Sequence, residues 1–527
     1  MSWKKDIEEL NKREKLAEEM GGEEKLKRQR DNNRLNVRER INLLFDKDTF
    51  HEIGKIAGKA EYNEKGELVN FTPSNFVMGR GNINGRKVVV GGDDFTVRGG
   101  AADAAIAQKQ IMAEQFANEY RLPLVRLIEG TGGGGSVKSL DMDARTYIPG
   151  NPGWDWVVKN LATVPVIALA LGPVAGLGAA RAVTSHFSIM VEKLSQMFVA
   201  GPPVVKRVGE DLTKEELGGS EIHSKNGAID IIVKTEKEAI QTARKILSYL
   251  PSSVYDLPPR GKIFDDPNRA DEWLIDVIPK DRRKVYKSRK IIETVIDKNS
   301  FLEFGKTYGR SVIAGLARID GWPVGILASD PYFYGGGWTA NASNKVTRFV
   351  DIAETFHLPV VHLVDNPGFV IGLDAEKEAT IRHGARALTA VYQAKVPWCS
   401  VILRPVGEIS DAPGLSSTIH KGCYSGLLPH LHSFIRKIPD IPDSTSFNHI
   451  LDLINAIEAA RAERTPLVGR VHKFSGWLAQ PKEKWPDFTM KMMMDGDINI
   501  SERLILGKSG FHAELIEIDD SVKPLGS

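Results

Sequence analysis

Asp46-Lys47-Asp48-Thr49-Phe50, followed by Glu52, Gly54 and Lys55, is echoed 251 residues later by Asp297-Lys298-Asn299-Ser300-Phe301, Glu303, Gly305 and Lys306. Self-similarity at a fixed spacing marks duplicated structural units, so this pair of segments decides the fold before any local propensity does. Working outward, a constant offset of 236 places Gly85 on Gly321, Asp94 on Asp330, Gly99-Gly100 on Gly335-Gly336 and Lys109 on Lys345. The same offset carries Leu122-Pro123 onto Leu358-Pro359 and Gly132 onto Gly368, at the end of an apolar strand in each half. Each half predicts short strands, a Gly-rich turn, a helix from about Ala101 or Ala340, then a strand over 124–129 or 360–365. A further strand is expected over 164–171 or 399–403. Strands alternating with helices imply βαβ crossovers in layered α/β domains. The segment 250–289 is rich in Pro, Asp and Arg without sustained periodicity. The chain thus divides into a charged helical extension (1–33), a first domain (34–255), a linker (256–289) and a second domain (290–527).

A length of 527 residues suffices for two large cores, and 42% hydrophobic residues suits a globular chain. Seventy basic and 68 acidic residues nearly cancel, which leaves no electrostatic footprint for nucleic acid. Cys399 and Cys423 are the only cysteines, excluding a disulfide framework and a cysteine-rich metal site and pointing to a reducing, cytoplasmic setting. The first 47 residues mix acids and bases, unlike a secretory or transit leader. The uncharged stretch 161–180 has the length of a membrane span, but Pro165, Gly172 and Pro173 break a helix there. A buried parallel strand explains the same apolar run, so no membrane partner is expected.

Two turns of the first half carry the chemistry: Glu129-Gly130-Thr131-Gly132-Gly133-Gly134-Gly135-Ser136, and Gly172-Pro173-Val174-Ala175-Gly176-Leu177-Gly178. Glycines at a strand-to-helix junction let a ligand approach backbone N–H groups, and the helix start favours negative charge. Tight turns alone would explain one such loop; four consecutive glycines strain that reading. The Lys-Ser or Lys-Thr ending of a P-loop is absent, as is GxGxxG spacing. No nucleophile elbow or metal-ligand histidine pair accompanies the turns, and His223, His357, His362 and His383 are scattered, each read as packed or surface. An enzyme without protein acids or bases can still work if its cofactor supplies the reactive group and its backbone stabilises the developing charge.

Gly201-Pro202-Pro203-Val204-Val205-Lys206, then Glu215-Glu216-Leu217-Gly218-Gly219 and His223, resembles a signature of the acyl-CoA carboxylase carboxyltransferases, which include the β subunits of propionyl-CoA and methylcrotonyl-CoA carboxylases. Asp365-Asn366-Pro367-Gly368-Phe369 is similar to that family's DxPGF turn, Ile381-Arg382-His383-Gly384-Ala385 to its IRHGA helix start, and Lys345 with Arg348-Phe349 to the segment before them. The likeness runs from about Arg34 to Arg404. It implies two crotonase-like β-β-α superhelix domains, one binding acyl-CoA and the other, from a second subunit, binding carboxybiotin.

The resemblance further implies that Ala175, Gly176 and Leu177 offer N–H groups to a thioester oxygen as its α-carbon becomes an enolate. Gly132, Gly133, Gly134 and Gly172 would line the acyl-CoA pocket, and Gly336, Gly337, Gly368 and Phe369 the biotin side. Biotin would arrive on a partner, a biotin carboxylase or biotin carrier subunit, because this chain has no biotin-attachment or ATP-binding signature; no metal is required. A shared active site implies a homo-oligomer, in this family a hexamer. A non-catalytic assembly or CoA-ester-binding subunit and a biotin-dependent decarboxylase are the alternatives. After Arg404 the likeness stops, and the internal alignment puts Glu408 where the first half has Gly176; a diverged domain and an altered reading of the gene would each produce so abrupt a loss. In the tail, 447–462 has helical spacing and 498–518 suits strands.

Overall fold

The computed structural model describes residues 3–100, 106–131 and 153–403, apart from positions 264, 267, 268, 270, 280 and 282, together with the backbone of two short strands at 502–506 and 513–517. The chain divides into two compact units, the first ending at Asp256 and the second beginning at Leu257.

Unit 1 contains β1 (His51–Ile53), β2 (Gly58–Tyr62), β3 (Leu68–Pro73), β4 (Phe76–Ile83), β5 (Arg86–Asp93), β6 (Leu124–Thr131), β7 (Val166–Ala175), β8 (Phe187–Val191), β9 (Gln196–Phe198) and β10 (Ile231–Val233). Its sheet runs β1-β4-β5-β6-β7-β8-β10, with β9 also on β7. The β1, β4 and β5 strands are antiparallel; from β5 onward the pairs are parallel. Unit 2 contains β11 (Leu302–Phe304), β12 (Val312–Ile319), β13 (Trp322–Ser329), β14 (Val360–Val364) and β15 (Trp398–Ile402), paired in that order. The tail strands β16 (Glu502–Leu506) and β17 (Ala513–Glu517) pair antiparallel; the segment 447–462 lies outside the described residues.

The sequence repeat is a repeat of register. Phe76 faces Asp93 across β4 and β5, and Val312 faces Ser329 across β12 and β13, each partner displaced by 236. Val89 faces Leu124 in unit 1 and Gly325 faces Val360 in unit 2. Backbone strain repeats too: Asn84 and Asp320 have φ 51° and 49°, Arg98 and Tyr334 53° and 52°. The offset falls from 251 to 236 across β2 and β3, so unit 1 has fifteen residues more there, and these form a separate hairpin. The helix Lys4–Glu18 lies on it, with Lys12 donating to Leu68 O at 2.6 Å.

Within the run 161–180 a buried strand is present as Val166–Ala175, and Val166–Leu171 is buried throughout, as a parallel strand covered on both faces must be. No described helix is long and apolar enough to cross a membrane. One boundary differs from expectation. The strand continues through Gly172-Pro173 to Ala175 because β9 pairs with its far end, Pro173 to Gln196 and Ala175 to Phe198. The segment 257–289 also differs from a free tether. Gly261 N–H donates to Gly321 O, and Trp273, Leu274, Val277 and Ile278 pack on the core of unit 2. The charged extension is not solvent-facing along its length, since Gln29 of the helix Glu23–Asp31 is buried against Glu129.

Candidate functional site

In unit 1 the corner after β7 is built from Ala175, Gly176 and the helix Leu177–Val183. Ala175 lies in the ladder between Thr131 and Phe198. Gly176, at φ 58° and ψ −122°, turns the chain from strand to helix in a region that favours glycine. Its N–H donates to Phe198 O at 3.0 Å, so this amide is committed inside the protein, contrary to its expected role as a ligand donor. The amides of Leu177, Gly178 and Ala179 lie in the first helical turn, where geometry supplies no intrahelical carbonyl. A Cβ on Gly176 would find no atom nearer than Val199 O at 3.9 Å, and Val199 is exposed, so the corner opens outward.

The corner is held from behind. Arg126 on β6, 1% exposed, donates through Nη1 to Arg181 O at 2.9 Å and Thr184 O at 2.5 Å, closing the far end of the helix. Its other nitrogens fork onto Glu114, each at 2.8 Å, and Asn160 completes the cluster. Burial pushes the Glu114 carboxyl up, but the Arg126 charge and hydrogen bonds prevail and hold it below the usual range. The signature around Glu215 and His223 packs β9: a Cβ on Gly218 would overlap Met197 O, and His223 Nε2 sits 2.7 Å from that same oxygen. His223 is thus a packing residue one position from the carbonyl that takes the Gly176 amide.

Gly172, expected in the acyl-CoA pocket, instead faces Glu129; a Cβ there would lie 2.6 Å from Glu129 Oε1. Glu129 is fully buried and receives Arg34 and Arg40, each at 2.5 Å, and Gln29 at 3.0 Å. Arg40 also meets Glu236 and donates to Leu171 O at 3.0 Å. Burial works against the Arg40 charge, but Glu129 and Glu236 more than offset it and raise its pKa. Sequence reading missed this network because its members are spread from residue 29 to 236; an acid closing a buried apolar strand was the available signal. Gly132, Gly133 and Gly134 lie outside the described residues, as does Glu408.

Unit 2 brings its four expected residues together. Trp338 N–H donates to Gly368 O at 2.9 Å, and the Phe369 ring meets Trp338 edge-on at 6.1 Å. A Cβ on Gly337 would lie 3.4 Å from Gly368 O. Gly336, φ 89°, has its Cα face so close to Asp365 O that any side chain would overlap it; Gly100 stands in the same relation to Glu129 O. The amides of Gly336, Gly337 and Gly368 are committed to Phe333 O, Tyr334 O and Asn366 Oδ1, so these glycines give close approach and the aromatic pair gives a wall. Asp365 accepts from Tyr286 Oη at 2.8 Å.

The duplicated lysines are buried in both units. Lys345 Nζ reaches the carbonyls of Gly305, Tyr308 and Val312, and burial pushes it down to about 8 against the pull of Glu303. Lys109 is likewise pushed down to about 8 by burial, beside Glu52. Glu52 and Glu303 are each gripped bidentately, by Arg38 and Arg289. Among the described residues no cluster of His, Cys, Asp or Glu could hold a metal ion.

Residues 28–413 match the model of the carboxyl transferase domain. The chain is 32% identical to the propionyl-CoA carboxylase carboxyltransferase subunit of Haloferax mediterranei, over 77% of this chain and 78% of that protein. It is 33% identical to the methylmalonyl-CoA decarboxylase subunit alpha of Veillonella parvula, over 74% and 77%. A crystal structure of transcarboxylase 12S, a hexamer with methylmalonyl-CoA and methylmalonic acid bound, superposes with a TM-score of 0.69 at 31% identity, covering 76% of this chain and 78% of that one. The chain belongs to the carboxyl transferase family. Its fold is the crotonase-like fold of that family, and its activity is carboxyl transfer involving acyl-CoA.

Proposed function

We propose that this chain moves a carboxyl group from biotin, borne on a partner carrier, to the α-carbon of an acyl-CoA. The outward-opening corner at 175–179 carries the reading: its first-turn amides, Leu177 foremost, meet the thioester oxygen as negative charge develops there. Such fixed donors cost no reorganisation during reaction. Arg126 holds the helix from its far end and Gly176 sets its direction. Biotin supplies the carboxyl group when bound; Trp338 and Phe369, brought close by Gly336, Gly337 and Gly368, suit the face of a flat ring.

Relatives that are subunits of biotin-dependent carboxylases support a separate biotin carboxylase or carrier subunit, and the hexameric transcarboxylase supports a homo-hexamer. The likeness to a decarboxylase subunit supports the reverse direction on the same residues. Purified chain, a carrier charged with 14C-carboxybiotin and a series of acyl-CoA esters form the test. Label should enter a malonyl-type thioester; absence of transfer with every ester, alongside retained CoA-ester binding, would instead make this a non-catalytic binding subunit.

A further inference from the structure

Half-buried in unit 2, His383 Nδ1 lies 2.8 Å from Asn344 Oδ1. An amide oxygen only accepts, so Nδ1 donates a proton to it, and in the tautomer this bond selects Nε2 is the nitrogen left to accept. Asn344 thereby fixes the imidazole's tautomer and direction, in the way a second partner sets a histidine's reactive nitrogen elsewhere. No described residue bonds Nε2.

The place of this chain in the fold gives it a use. Gly384, the next residue, lacks a side chain because the Phe369 ring fills its position: a Cβ there would lie 2.5 Å from the ring. Thr380, one turn before Gly384 on the same helix face, is 4% exposed and its hydroxyl has no hydrogen-bond partner; Ser343, beside Asn344, is fully buried with its hydroxyl likewise unpaired. Unpaired buried hydroxyls are costly to maintain in a packed interior. The two unpaired hydroxyls and His383 thus lie in the first turns of two helices, one of which packs Gly384 on the Phe369 ring.

We infer that His383 is a further ligand-contacting residue of unit 2, its Nε2 accepting the ring N–H of a cyclic ureide seated against Phe369. The inference rests on the reading that unit 2 receives biotin, and it assigns the contact to a side chain where the glycine amides are already committed.

Calorimetry with free d-biotin and with biotin methylated on its ring nitrogens tests it without turnover. His383→Ala should weaken biotin binding roughly tenfold, the worth of one hydrogen bond, and leave the methylated analogue unaffected. Asn344→Leu should reproduce that loss, and Asn344→Asp, which keeps an oxygen facing Nδ1, should restore most of the affinity. Equal binding of biotin by H383A and the unsubstituted protein, an equal loss for both ligands, or no biotin binding at all would overturn the inference. Carboxyl transfer by the unsubstituted chain is scored separately. Transfer without His383-dependent binding sinks only this inference, whereas His383-dependent binding without transfer sinks only the proposed reaction.

Discussion

Gly172→Ala would put a methyl carbon 2.6 Å from Glu129 Oε1 and 2.8 Å from its Cγ and Cδ. Gly172 is not among the residues of positive φ, so alanine meets no backbone penalty and its whole effect is this contact. The carboxylate cannot step aside freely, because Gln29, Arg34 and Arg40 hold it and Arg40 is 1% exposed. Overpacking a tight interior costs ~1–3 kcal/mol, and tearing one partner from a buried ion pair ~3–5 kcal/mol, so the cheaper strain governs and G172A should lose about 1–3 kcal/mol. In an E129A background the obstruction is gone, and the same substitution should cost under about 0.5 kcal/mol. Urea unfolding of the four proteins of the cycle, followed by far-UV circular dichroism, gives the coupling directly. Additive effects would refute the assignment of Gly172 as the residue that makes room for Glu129. If G172A then weakened acyl-CoA binding equally in both backgrounds, its expected place in the substrate pocket would stand instead.

Leu177→Pro removes one amide at the first helical position, where proline is well tolerated, so kcat should fall roughly 100- to 1,000-fold with the thermal midpoint held, while Leu177→Ala keeps most activity. Lys109 and Lys345 are depressed to about 8 by burial, whereas unfolded lysine titrates near 10.4. Between those values the unfolded chain binds more protons, so stability should rise with pH across that window. Urea midpoints at pH 7.5, 9 and 10 should show a smaller rise for K345M than for the unsubstituted protein, and an equal rise would exclude the lysine as its source. Burial pushes the Cys399 thiol up to about 12, so at pH 8 it should resist iodoacetamide until urea unfolds the protein, as peptide-resolved mass spectrometry would show.

The duplicated frame was legible because register is a property of spacing. Offsets of 251 and 236 survive as strand partners, and the glycines at 85 and 321 survive as paired left-handed turns. Contact between distant side chains was not legible. Gly172-Pro173 reads as a strand end, yet the strand continues, because β9 pairs beyond it and a carboxylate from the neighbouring strand fills the space a side chain would need. Gly176 illustrates the same limit at the site: its identity and position point to a donor, while the direction of its amide depends on Phe198, brought there by Gly218 and His223. His383 was read as one of several scattered histidines, since Asn344 precedes it by 39 residues and only helix packing joins them.

The two units keep one frame and differ in what stands behind the turn. In each, a glycine of positive φ packs on the carbonyl of an acid, Gly100 on Glu129 near the end of β6 and Gly336 on Asp365 just after β14. Unit 1 neutralises its acid with two arginines and a glutamine; unit 2 gives Asp365 the Tyr286 hydroxyl. Each carboxylate is thereby engaged in holding the structure behind its turn, in unit 1 through buried charge-assisted bonds. Glu114, enclosed by Arg126 and Asn160, is tied down in the same way. Among the described residues, these acids near the turns are posts of the wall. In the reaction proposed above, the developing charge then falls to main-chain amides of the helix that Arg126 holds.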